Sequence, residues 1–398
     1  MLEAGGARAD ILVLNQISAQ GLSRLPADRY RVGKDLADPT AILLRSADLH
    51  SLAIPASVRA IARAGAGTNN IPVKAMSARG VPVFNAPGAN ANAVKELVLA
   101  GMLMAARNLG PALRFAAALD VTAPDLDKRI EDGKKAFAGF EIAGQTLGRI
   151  GLGKIGCLIA DAAIKLGLHV LGYDPDITVD AAWSLPSQVR RAGSVNEVLR
   201  SAQFVTLHVP LVEATRHLVN HANIGLMRPG AVVLNFSREG VVSDGAVLES
   251  LAAGHLGQYV CDFPNATLHG HPQVIALPHL GASTREAEEN CAIMVVDQLR
   301  DYLENGNVAN AVNFPQLAMA RESTWRVAIA NANVPNMLGQ MSTAMANAGL
   351  NIHNMVNKSR GDMAYTLVDV DSPVSDAVIT SLAGISGVLS VRYLPGVT

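Results

Sequence analysis

A glycine-rich turn at residues 145–156 constrains the fold of this chain more than any other feature. Its sequence QTLGRIGLGKIG places Gly151, Gly153 and Gly156 in a G-x-G-x-x-G pattern between a strand-like apolar run and a helix-like one. The first glycine permits a tight turn, the second lets the backbone approach a pyrophosphate, and the third lets the helix pack closely on the strand. The helix N-terminus then offers unpaired N–H groups and a positive dipole end to phosphate. The pattern predicts a βαβ dinucleotide-binding unit.

An aspartate follows the glycines at the distance that such a unit requires. The apolar run His169–Tyr173 ends at Asp174, and a carboxylate about 20 residues beyond the glycines binds the ribose hydroxyls of a dinucleotide. The same charge repels a 2′-phosphate, so this residue favours NAD over NADP as the cofactor. The alternative is a solvated acid in a Tyr-Asp-Pro-Asp turn, which the complete βαβ context disfavours.

The order of apolar runs predicts the fold class. Short strand-like runs alternate with helical patterns from Ile11 to about Asn305, which is typical of parallel sheets covered by helices. Two long helices, Asn92–Asn108 and Thr284–Asn305, bracket the second series of strands, and the connection Asp120–Gly139 is predicted to be irregular and charged. The predicted strands are Ile11–Leu14, Ala41–Leu44, Ala60–Ala64 and Val81–Phe84, then Leu147–Ile150, His169–Tyr173, Phe204–His208, Ala231–Asn235, Tyr259–Asp262 and Val274–Ala276.

The C-terminal part has a different pattern. From near Trp325 the elements follow the order βαββαβ, which is the ferredoxin-like split. We therefore expect an α/β protein with two doubly wound parallel-sheet domains, one for substrate and one of Rossmann type, followed by a small ferredoxin-like domain. The expected boundaries are residues 1–94 with 284–310, residues 95–283, and residues 322–398.

Composition excludes several classes of partner. A formal net charge of −1 provides no general field for nucleic acid or an anionic membrane. The longest apolar stretch, Leu97–Ala106, is about half of the roughly 20 residues that a membrane span needs. Three widely spaced cysteines without a C-x-x-C pair indicate reduced thiols in a cytoplasmic protein. No metal is expected, because His269 and His271 have no carboxylate or cysteine at ligand spacing.

Two polar residues follow buried strands where open α/β sheets place their ligand sites. Arg238 comes directly after the run Val232–Ser237, and His279 follows Leu277-Pro278. The planar fork of an arginine suits an α-keto acid, because it binds a carboxylate or polarises a carbonyl bidentately. A histidine there can donate a proton to an alkoxide as hydride arrives and accept one in the reverse direction. Taken singly, Arg238 could instead cap its strand, and His279 could be an ordinary loop histidine.

The ordered set of motifs resembles the D-isomer-specific 2-hydroxyacid dehydrogenases. The resemblance runs from about Ile11 to the end of the chain, and it implies an NAD-dependent oxidoreductase that acts on a small 2-hydroxy acid. The matching stretches are Leu44-Arg45-Ser46, Arg63-Ala64-Gly65-Ala66-Gly67-Thr68-Asn69-Asn70-Ile71, Asn85-Ala86-Pro87-Gly88-Ala89-Asn90, the glycine turn, His208-Val209-Pro210-Leu211 with Thr215, Asn235–Arg238, and Pro278–Thr284.

The resemblance implies a role for individual residues. Arg238 matches the arginine that polarises the keto acid, and His279 matches the general acid/base. The implied substrate contacts are Arg45 and Ser46, which match the pair that binds a substrate phosphate, together with Ala66, Gly67 and Asn90. The implied cofactor contacts are Gly151, Gly153, Lys154, Ile155, Gly156, Asp174, His208, Val209, Pro210, Thr215, Phe236, Arg238, Asp262, His279 and Gly281.

One position departs from the family pattern. The family orients its histidine with a glutamate a few residues after an Asp-Phe-Pro motif, whereas this chain has Ala266 or Thr267 in that slot. A carboxylate bonded to imidazole raises the pKa of the ring and fixes its tautomer, so its loss should weaken the acid at neutral pH. Glu239 is the first candidate for a substitute, although a solvated loop charge is the better explanation of it. Two alternatives stay open: an unphosphorylated D-2-hydroxy acid as substrate, or an NAD- and amino-acid-sensing protein with weak catalysis.

The C-terminal domain resembles an ACT domain. The resemblance implies an effector site made of Asn333, Asn336, Met337, Leu338 and Asn351. In such enzymes paired ACT domains bind L-serine at their interface, which implies a homo-oligomer. The alternative is a dimerisation module without an effector, and the glycine common in the family is replaced here by Asn336.

Overall fold

The computed structural model describes residues 8–396, and the chain divides into two compact units. The first unit comprises residues 1–89 together with 285–398, and the second comprises residues 90–284. The described residues before Asn90 and after Thr284 therefore belong to the same unit, and the second unit is inserted between them in the sequence.

The first unit begins with a parallel five-stranded sheet in the order β2-β1-β3-β4-β5. Its elements are β1 (Ala9–Leu14), α1 (Ala19–Leu22), β2 (Tyr30–Gly33), β3 (Ala41–Leu44), β4 (Ala60–Arg63), α2 (Val73–Ala78) and β5 (Val83–Phe84). Strands β3 and β4 are apolar and buried at almost every position, as expected of a parallel sheet that is covered on both faces. The four predicted strands agree with observed ones to within two residues, and β2 is an additional edge strand.

The second unit contains a parallel seven-stranded sheet in the order β12-β11-β10-β9-β6-β7-β8. Its elements are α3 (Ala91–Ala106), α4 (Leu109–Ala117), α5 (Leu126–Gly133), β6 (Thr146–Ile150), α6 (Lys154–Lys165), β7 (His169–Tyr173), α7 (Val179–Trp183), β8 (Arg190–Arg191), α8 (Val195–Ser201), β9 (Phe204–Leu207), β10 (Ala231–Asn235), α9 (Asp244–Ala252), β11 (Leu256–Cys261) and β12 (Val274–Ala276). The strand order reverses between β6 and β9, and open α/β sheets bind their ligands at such a switch point.

The predicted irregular connection Asp120–Gly139 was wrong in part, because helix α5 lies inside it. The helix carries an acidic residue in its first turn, and salt bridges between Asp125 and Arg129 and between Glu131 and Lys134 support it. None of its residues is buried, so the sequence offered no apolar periodicity from which to predict it.

The chain then returns to the first unit through a long helix and ends in the predicted βαββαβ order. The elements are α10 (Arg285–Asn305), β13 (Trp325–Ala332), α11 (Met337–Asn347), β14 (Ile352–Arg360), β15 (Met363–Val370), α12 (Asp376–Ala383) and β16 (Val388–Pro395). The four strands form an antiparallel sheet in the order β14-β15-β13-β16.

Both faces of this antiparallel sheet are covered within the first unit. One face, with Ile329 and Val368, packs on methionines of α11 and on α12. On the other face Tyr365 joins an apolar cluster with Tyr302 of α10 and Phe84 of β5. The ring centroids of Phe84 and Tyr302 are 5.3 Å apart, and those of Tyr302 and Tyr365 are 6.5 Å apart. The C-terminal sheet and the first parallel sheet therefore share one hydrophobic core.

Candidate active site

The glycine turn follows β6 in a geometry that excludes larger side chains at two positions. Gly151 has a φ of 94°, and a Cβ placed there would collide with the carbonyl group of His208. Gly156 lies in the first turn of α6, where a Cβ would collide with the guanidinium of Arg149. Gly153 caps α6, and no atom lies within 4 Å of the position that its Cβ would occupy. The turn thus leaves open space beside the helix N-terminus, where a pyrophosphate binds in folds of this kind.

A buried arginine lies beneath this turn and was missed by the sequence reasoning. The Arg149 side chain in β6 is fully buried, and its guanidinium donates to the carbonyl oxygens of Gly156 and, at 2.6 Å, of Gly151. Burial lowers the pKa of the Arg149 guanidinium to about 10. Burial and the charge of Arg149 also hold the pKa of His208 well below its usual value, so the imidazole is neutral. The one available signal was a cation inside an apolar strand just before the glycines.

Asp174 lies at the end of β7, as the βαβ pattern predicts. Its carboxylate accepts hydrogen bonds from the backbone N–H groups of Leu152 at 2.8 Å and Asp176 at 3.0 Å. These bonds fix the carboxylate against the glycine turn and leave further lone pairs free, since an ionised carboxylate has about four acceptor sites.

The other predicted cofactor residues lie beyond the neighbouring strands. His208, Val209 and Pro210 follow β9, and the His208 ring nitrogen Nε2 lies 2.8 Å from the hydroxyl of Thr206. The hydroxyl of Thr215 donates to the carbonyl oxygen of Pro210 at 2.5 Å and closes this loop. Lys154 and Ile155 form the first turn of α6, and the buried Phe236 follows β10.

Arg238 and His279 follow strands that lie close to each other in the sheet. Arg238 lies just beyond β10 and His279 just beyond β12, and β11 pairs with both of these strands. The Arg238 side chain is exposed, and its Nη1 donates to the carbonyl oxygen of Ser237 at 2.6 Å. In residues 8–396 the arginine forms no ion pair, so its positive charge is available to an anion.

Asp262 follows β11 and organises the loop that carries the histidine. Its buried carboxylate accepts hydrogen bonds from the backbone N–H groups of Leu280 at 2.7 Å and Gly281 at 2.8 Å. Burial raises the pKa of Asp262, while these N–H groups and the nearby imidazole of His279 act in the opposite direction. His279 has a left-handed backbone with a φ of 57°, and its ring packs on Phe263 in a T-shaped arrangement with the ring centroids 5.2 Å apart.

No carboxylate stands at the loop position where the family has its glutamate. Ala266 and Thr267 occupy it, and Asn265 closes the loop by accepting from the N–H groups of Thr267 and Leu268. Glu239, the first candidate for a substitute, accepts a hydrogen bond from Asn265 at 3.4 Å. The His279 ring packs against Phe263, and within residues 8–396 no hydrogen bond or ion pair joins Glu239 to the histidine.

The predicted substrate residues of the first unit follow β3 and β4. Arg45 forms a 2.6 Å salt bridge with Glu288 of α10, and the backbone N–H of Ser46 donates to Asn15 at 3.1 Å. Beyond β4 the N–H groups of Ala66 and Gly67 donate to no group within the described chain. These are free donors suited to a carboxylate.

The remaining predicted site residues are Asn90, expected to bind substrate, and the expected effector residues of the C-terminal domain. Asn90, in the second unit, is the N-cap of α3, and its side chain makes no capping bond. In the C-terminal domain Asn336 caps α11 with a φ of 66°, and Asn333 donates to the carbonyl oxygen of Gly361 at 3.0 Å. The Met337 side chain is buried in the core and Leu338 is exposed, whereas the backbone N–H of Asn351 donates to Asp371.

Residues 8–396 contain no group of three or more histidine, cysteine or acidic side chains placed to hold a metal ion. Across the same residues, no helix combines the length and the apolar character needed to cross a membrane.

Comparison with known sequences finds a family match and several relatives. Residues 99–281 match the family model described as D-isomer specific 2-hydroxyacid dehydrogenase, NAD binding domain. A D-3-phosphoglycerate dehydrogenase of Haemophilus influenzae is 32% identical over 343 residues, which cover 82% of this chain and 79% of that protein. The D-3-phosphoglycerate dehydrogenase of Methanocaldococcus jannaschii is 37% identical over 266 residues, or 65% of this chain, and the match spans about half (48%) of its length.

Solved structures share the fold at lower identity. The TT0316 protein from Thermus thermophilus superposes with a TM-score of 0.62 at 26% identity, covering 76% of this chain and 99% of that one. The NAD+-bound 3-phosphoglycerate dehydrogenase of Entamoeba histolytica superposes with a TM-score of 0.60 at 22% identity, covering 78% of this chain and 100% of that one. These likenesses confirm the expected pair of parallel-sheet α/β domains.

Proposed function

Because the chain belongs to the D-isomer-specific 2-hydroxyacid dehydrogenase family, we propose that it interconverts 3-phosphoglycerate and 3-phosphohydroxypyruvate with NAD. This reaction is the first step of L-serine biosynthesis. The observation that carries the proposal is the placement of Arg238, Asp262 and His279 beyond three neighbouring strands of one sheet, with the arginine free of any acidic partner in the described chain. The relatives named D-3-phosphoglycerate dehydrogenase support the choice of substrate.

Two side chains carry the chemistry in this proposal. The exposed Arg238 guanidinium binds the substrate carboxylate and polarises the C2 oxygen, as a planar five-donor cation can do. The His279 imidazole accepts the proton of the C2 hydroxyl in oxidation and returns a proton to the C2 oxygen in reduction. NAD, when bound, supplies the nicotinamide ring that takes up the hydride from C2.

The residues around the glycine turn fit this cofactor. Three features favour the binding of a pyrophosphate: the open space at Gly153, the N-terminus of α6 and the buried positive charge of Arg149. The Asp174 carboxylate, fixed by the N–H of Leu152, is placed for the ribose hydroxyls and disfavours a 2′-phosphate.

Asp262 is proposed to support the histidine in place of the absent glutamate. Its carboxylate accepts hydrogen bonds from the N–H groups of Leu280 and Gly281, the two residues that follow the histidine, and so fixes the loop that carries the ring. Asp262 is thus proposed to act on the histidine through the position of its loop, a role that does not fix the tautomer of the ring.

Arg45 and Ser46 are proposed to bind the substrate phosphate. A guanidinium is the side chain best suited to bidentate phosphate recognition, and the Arg45 side chain is about one-third exposed. The N–H groups of Ala66 and Gly67 are proposed to bind the substrate carboxylate. Asn90, the N-cap of α3, is proposed as a further substrate contact.

Each domain has a proposed task. Residues 1–94 with 284–310 bind substrate, and residues 95–283 bind NAD. The C-terminal domain, proposed to begin at residue 322, is an ACT domain that binds L-serine through Asn333, Asn336 and Asn351 in a homo-oligomer. Its βαββαβ order and left-handed Asn336 support this proposal. The three unpaired, buried cysteines suit the cytoplasm.

The first experiment measures the initial rate of NADH oxidation with 3-phosphohydroxypyruvate and with unphosphorylated hydroxypyruvate, each with and without L-serine. Faster turnover of the phosphorylated compound is expected. Preference for the unphosphorylated compound would transfer the assignment to another 2-hydroxy acid. Full activity in millimolar L-serine would contradict effector binding and leave the C-terminal domain as a scaffold.

Replacement of Arg238 tests the reacting centre. We expect Arg238→Ala to reduce kcat/KM by about 10²–10³-fold, the range for loss of one key charged donor, while NADH binding persists. The matched control is Arg228→Ala, an exposed arginine at the opposite end of β10. Turnover of Arg238→Ala at the wild-type rate would contradict the site assignment.

The absence of a carboxylate at Ala266 and Thr267 favours one other class of function. A protein that binds NAD and an amino acid without rapid catalysis would tolerate that loss. It would bind NADH in a fluorescence titration but turn over neither compound, and Arg238→Ala would then change nothing measurable.

A further inference from the structure

A positively charged cavity lies within the first unit, where α2 and β4 meet α10 and the last strand, β16. Its volume is about 40 Å³, and it opens in part to solvent. Its polar lining comes from Arg59, Arg79, Tyr302, Ser390 and Arg392, and no carboxylate lines it. The proposed activity makes no use of any of these residues.

Two of the three arginines are held in place by neutral groups. Arg79 donates to the carbonyl oxygens of Ile54 at 3.0 Å and Pro55 at 2.6 Å. Arg392 donates to the carbonyl oxygens of Tyr302 at 3.2 Å and Leu303 at 3.0 Å, and its guanidinium lies 4.4 Å from the centre of the Tyr302 ring. Carbonyl oxygens and a ring face fix the orientation of a guanidinium but leave its full charge uncompensated.

The third arginine is free. Arg59 is exposed, and within the described chain its side chain takes part in no hydrogen bond or ion pair. None of the salt bridges of the described chain involves Arg59, Arg79 or Arg392. Three cations that face one small cavity without an acid repel one another, and an anion between them removes that repulsion.

We propose that this cavity binds a phosphate-sized oxyanion, supplied as inorganic phosphate or as the phosphate group of a small metabolite. Guanidinium groups bind such anions through several charge-assisted hydrogen bonds. The polar lining and the small volume do not suit a nucleobase or a lipid chain, and the single aromatic ring, Tyr302, is already covered by Arg392.

The cavity is distinct from the predicted substrate residues of the same unit. Arg59 directly precedes β4, and Arg79 lies between α2 and β5, so both are at the amino-terminal edge of the parallel sheet. Arg45 directly follows β3, at the carboxyl-terminal edge. An anion in the cavity would join the first sheet to β16 and stabilise their shared core without occupying the proposed substrate site.

The test is a calorimetric titration of the full-length Arg45→Ala protein with inorganic phosphate at constant ionic strength, with chloride as the reference anion. The Arg45→Ala background removes the proposed substrate-phosphate contact, so the result does not depend on the proposed function. We expect saturable binding that Arg59→Ala and Arg392→Gln each weaken at least tenfold, or by about 1.4 kcal/mol. Arg59 is exposed and unbonded, so its replacement leaves the fold intact even if Arg392→Gln does not fold.

Two matched controls complete the design. Arg360 lies in β14, the other edge strand of the same sheet, and likewise donates to a carbonyl oxygen, that of Ala311 at 3.1 Å. Lys74 is an exposed cation on α2. Neither Arg360→Gln nor Lys74→Ala should change the affinity. Absence of saturable binding, or an affinity that Arg59→Ala and Arg392→Gln leave unchanged, would overturn the proposal.

A second titration with glycerol 2-phosphate distinguishes the sources of the anion. Tighter binding than that of inorganic phosphate would indicate a phosphorylated metabolite, and equal or weaker binding would indicate free phosphate. Both results support the site, provided that Arg59→Ala reduces the affinity.

Discussion

At the residue scale, the charged side chains of the candidate site are held by hydrogen bonds to the main chain and not by side chains of opposite charge. The buried Asp262 is held by two backbone N–H groups, and the buried Arg149 is held by two carbonyl oxygens of the glycine turn. Arg238 likewise donates to a carbonyl oxygen. Neutral partners orient these groups and leave their charge available to a ligand, which a salt bridge would not.

Arg149 offers the first prediction at this scale. Arg149→Met removes the donor to the Gly151 and Gly156 carbonyl oxygens and the positive charge beneath the turn, so we expect NADH to bind about tenfold more weakly. This is the range for one charge-assisted hydrogen bond. The measurement is a fluorescence titration of NADH, with thermal unfolding as a check on folding. Arg149→Lys, which keeps the charge, should recover part of the affinity; equal losses in both variants would assign the residue a packing role alone.

Glu288 offers the second prediction. Its carboxylate pairs with Arg45, the proposed phosphate ligand, at 2.6 Å, so a substrate phosphate must displace it. Exposed ion pairs contribute at most about 1 kcal/mol, and Glu288→Gln should therefore lower KM for 3-phosphohydroxypyruvate about two- to fivefold with kcat unchanged. KM for hydroxypyruvate should not change.

The neighbouring Glu289→Gln is the control for Glu288, because it lies on the same helix and pairs with Arg285 instead. If both substitutions shift KM equally, the effect is a general change of charge. If Glu288→Gln raises KM, the carboxylate positions Arg45 for the substrate instead of competing with it.

At the element scale, the sequence predicted the elements with strong periodicity and missed those that depend on tertiary contacts. The buried strands β3 and β10 were predicted with their observed bounds because they are apolar at every position except Asn235, the last residue of β10. The edge strands β2 and β8 were missed because they are short and contain arginine, one residue in β2 and two in β8. The helix α5 was missed because it has no buried face.

The candidate site divides in the same way. The positions of the glycine turn, Asp174, Arg238 and His279 after their strands could be predicted, because each follows an apolar run in a known motif. The burial of Arg149 was not, because it depends on carbonyl groups that only the folded turn presents. The contacts of Asp262 with the loop after Pro278 likewise follow from strand order, which a local pattern does not reveal.

A buried ion pair holds two elements of the C-terminal sheet and provides the third prediction. Arg326 of β13 and Asp369 of β15 are register partners, both fully buried, with Nε and Oδ1 2.6 Å apart. Asp369→Asn leaves the arginine unpaired, so we expect the free energy of unfolding to fall by about 3–5 kcal/mol. Denaturant titration measures it, and the exposed Asp362→Asn on the same hairpin is the control.

The same pair predicts a dependence on pH. Burial would raise the pKa of Asp369, but its hydrogen bonds with Arg326 and with the N–H of Glu322 hold that pKa below the usual value of 3.8. A carboxyl whose pKa is lower in the folded state contributes stability above its unfolded pKa and loses it as the pH falls through the folded value. Unfolding free energies of the wild type should therefore fall below about pH 4, and the Asp369→Asn protein should show a shallower decline.

At the scale of the whole molecule, the C-terminal sheet is part of the first unit rather than an appended module. Tyr365 reaches across the shared core, where its hydroxyl donates to the carbonyl oxygen of Gly306 at 2.9 Å. Arg326 also donates to the carbonyl oxygens of Asn305 and Met319, so the sheet is bonded to the end of α10. A regulatory signal in the C-terminal domain would thus reach the first parallel sheet through packed atoms.

The shared core yields the last prediction. Because Tyr365 packs with Tyr302 and Phe314 rather than with the helices of its own domain, Tyr365→Ala should destabilise both sheets of the first unit together, by about 3–5 kcal/mol. Native-state hydrogen exchange measures this directly: amides of β3 and β13 should share one opening free energy in the wild type and lose the same amount in the variant. The exposed Leu338→Ala is the control and should change neither strand. If exchange is accelerated only in β13–β16 and not in β3, the two sheets belong to independently unfolding domains. The cavity lined by Arg59 and Arg392 would then lie between these two domains instead of inside one cooperative unit.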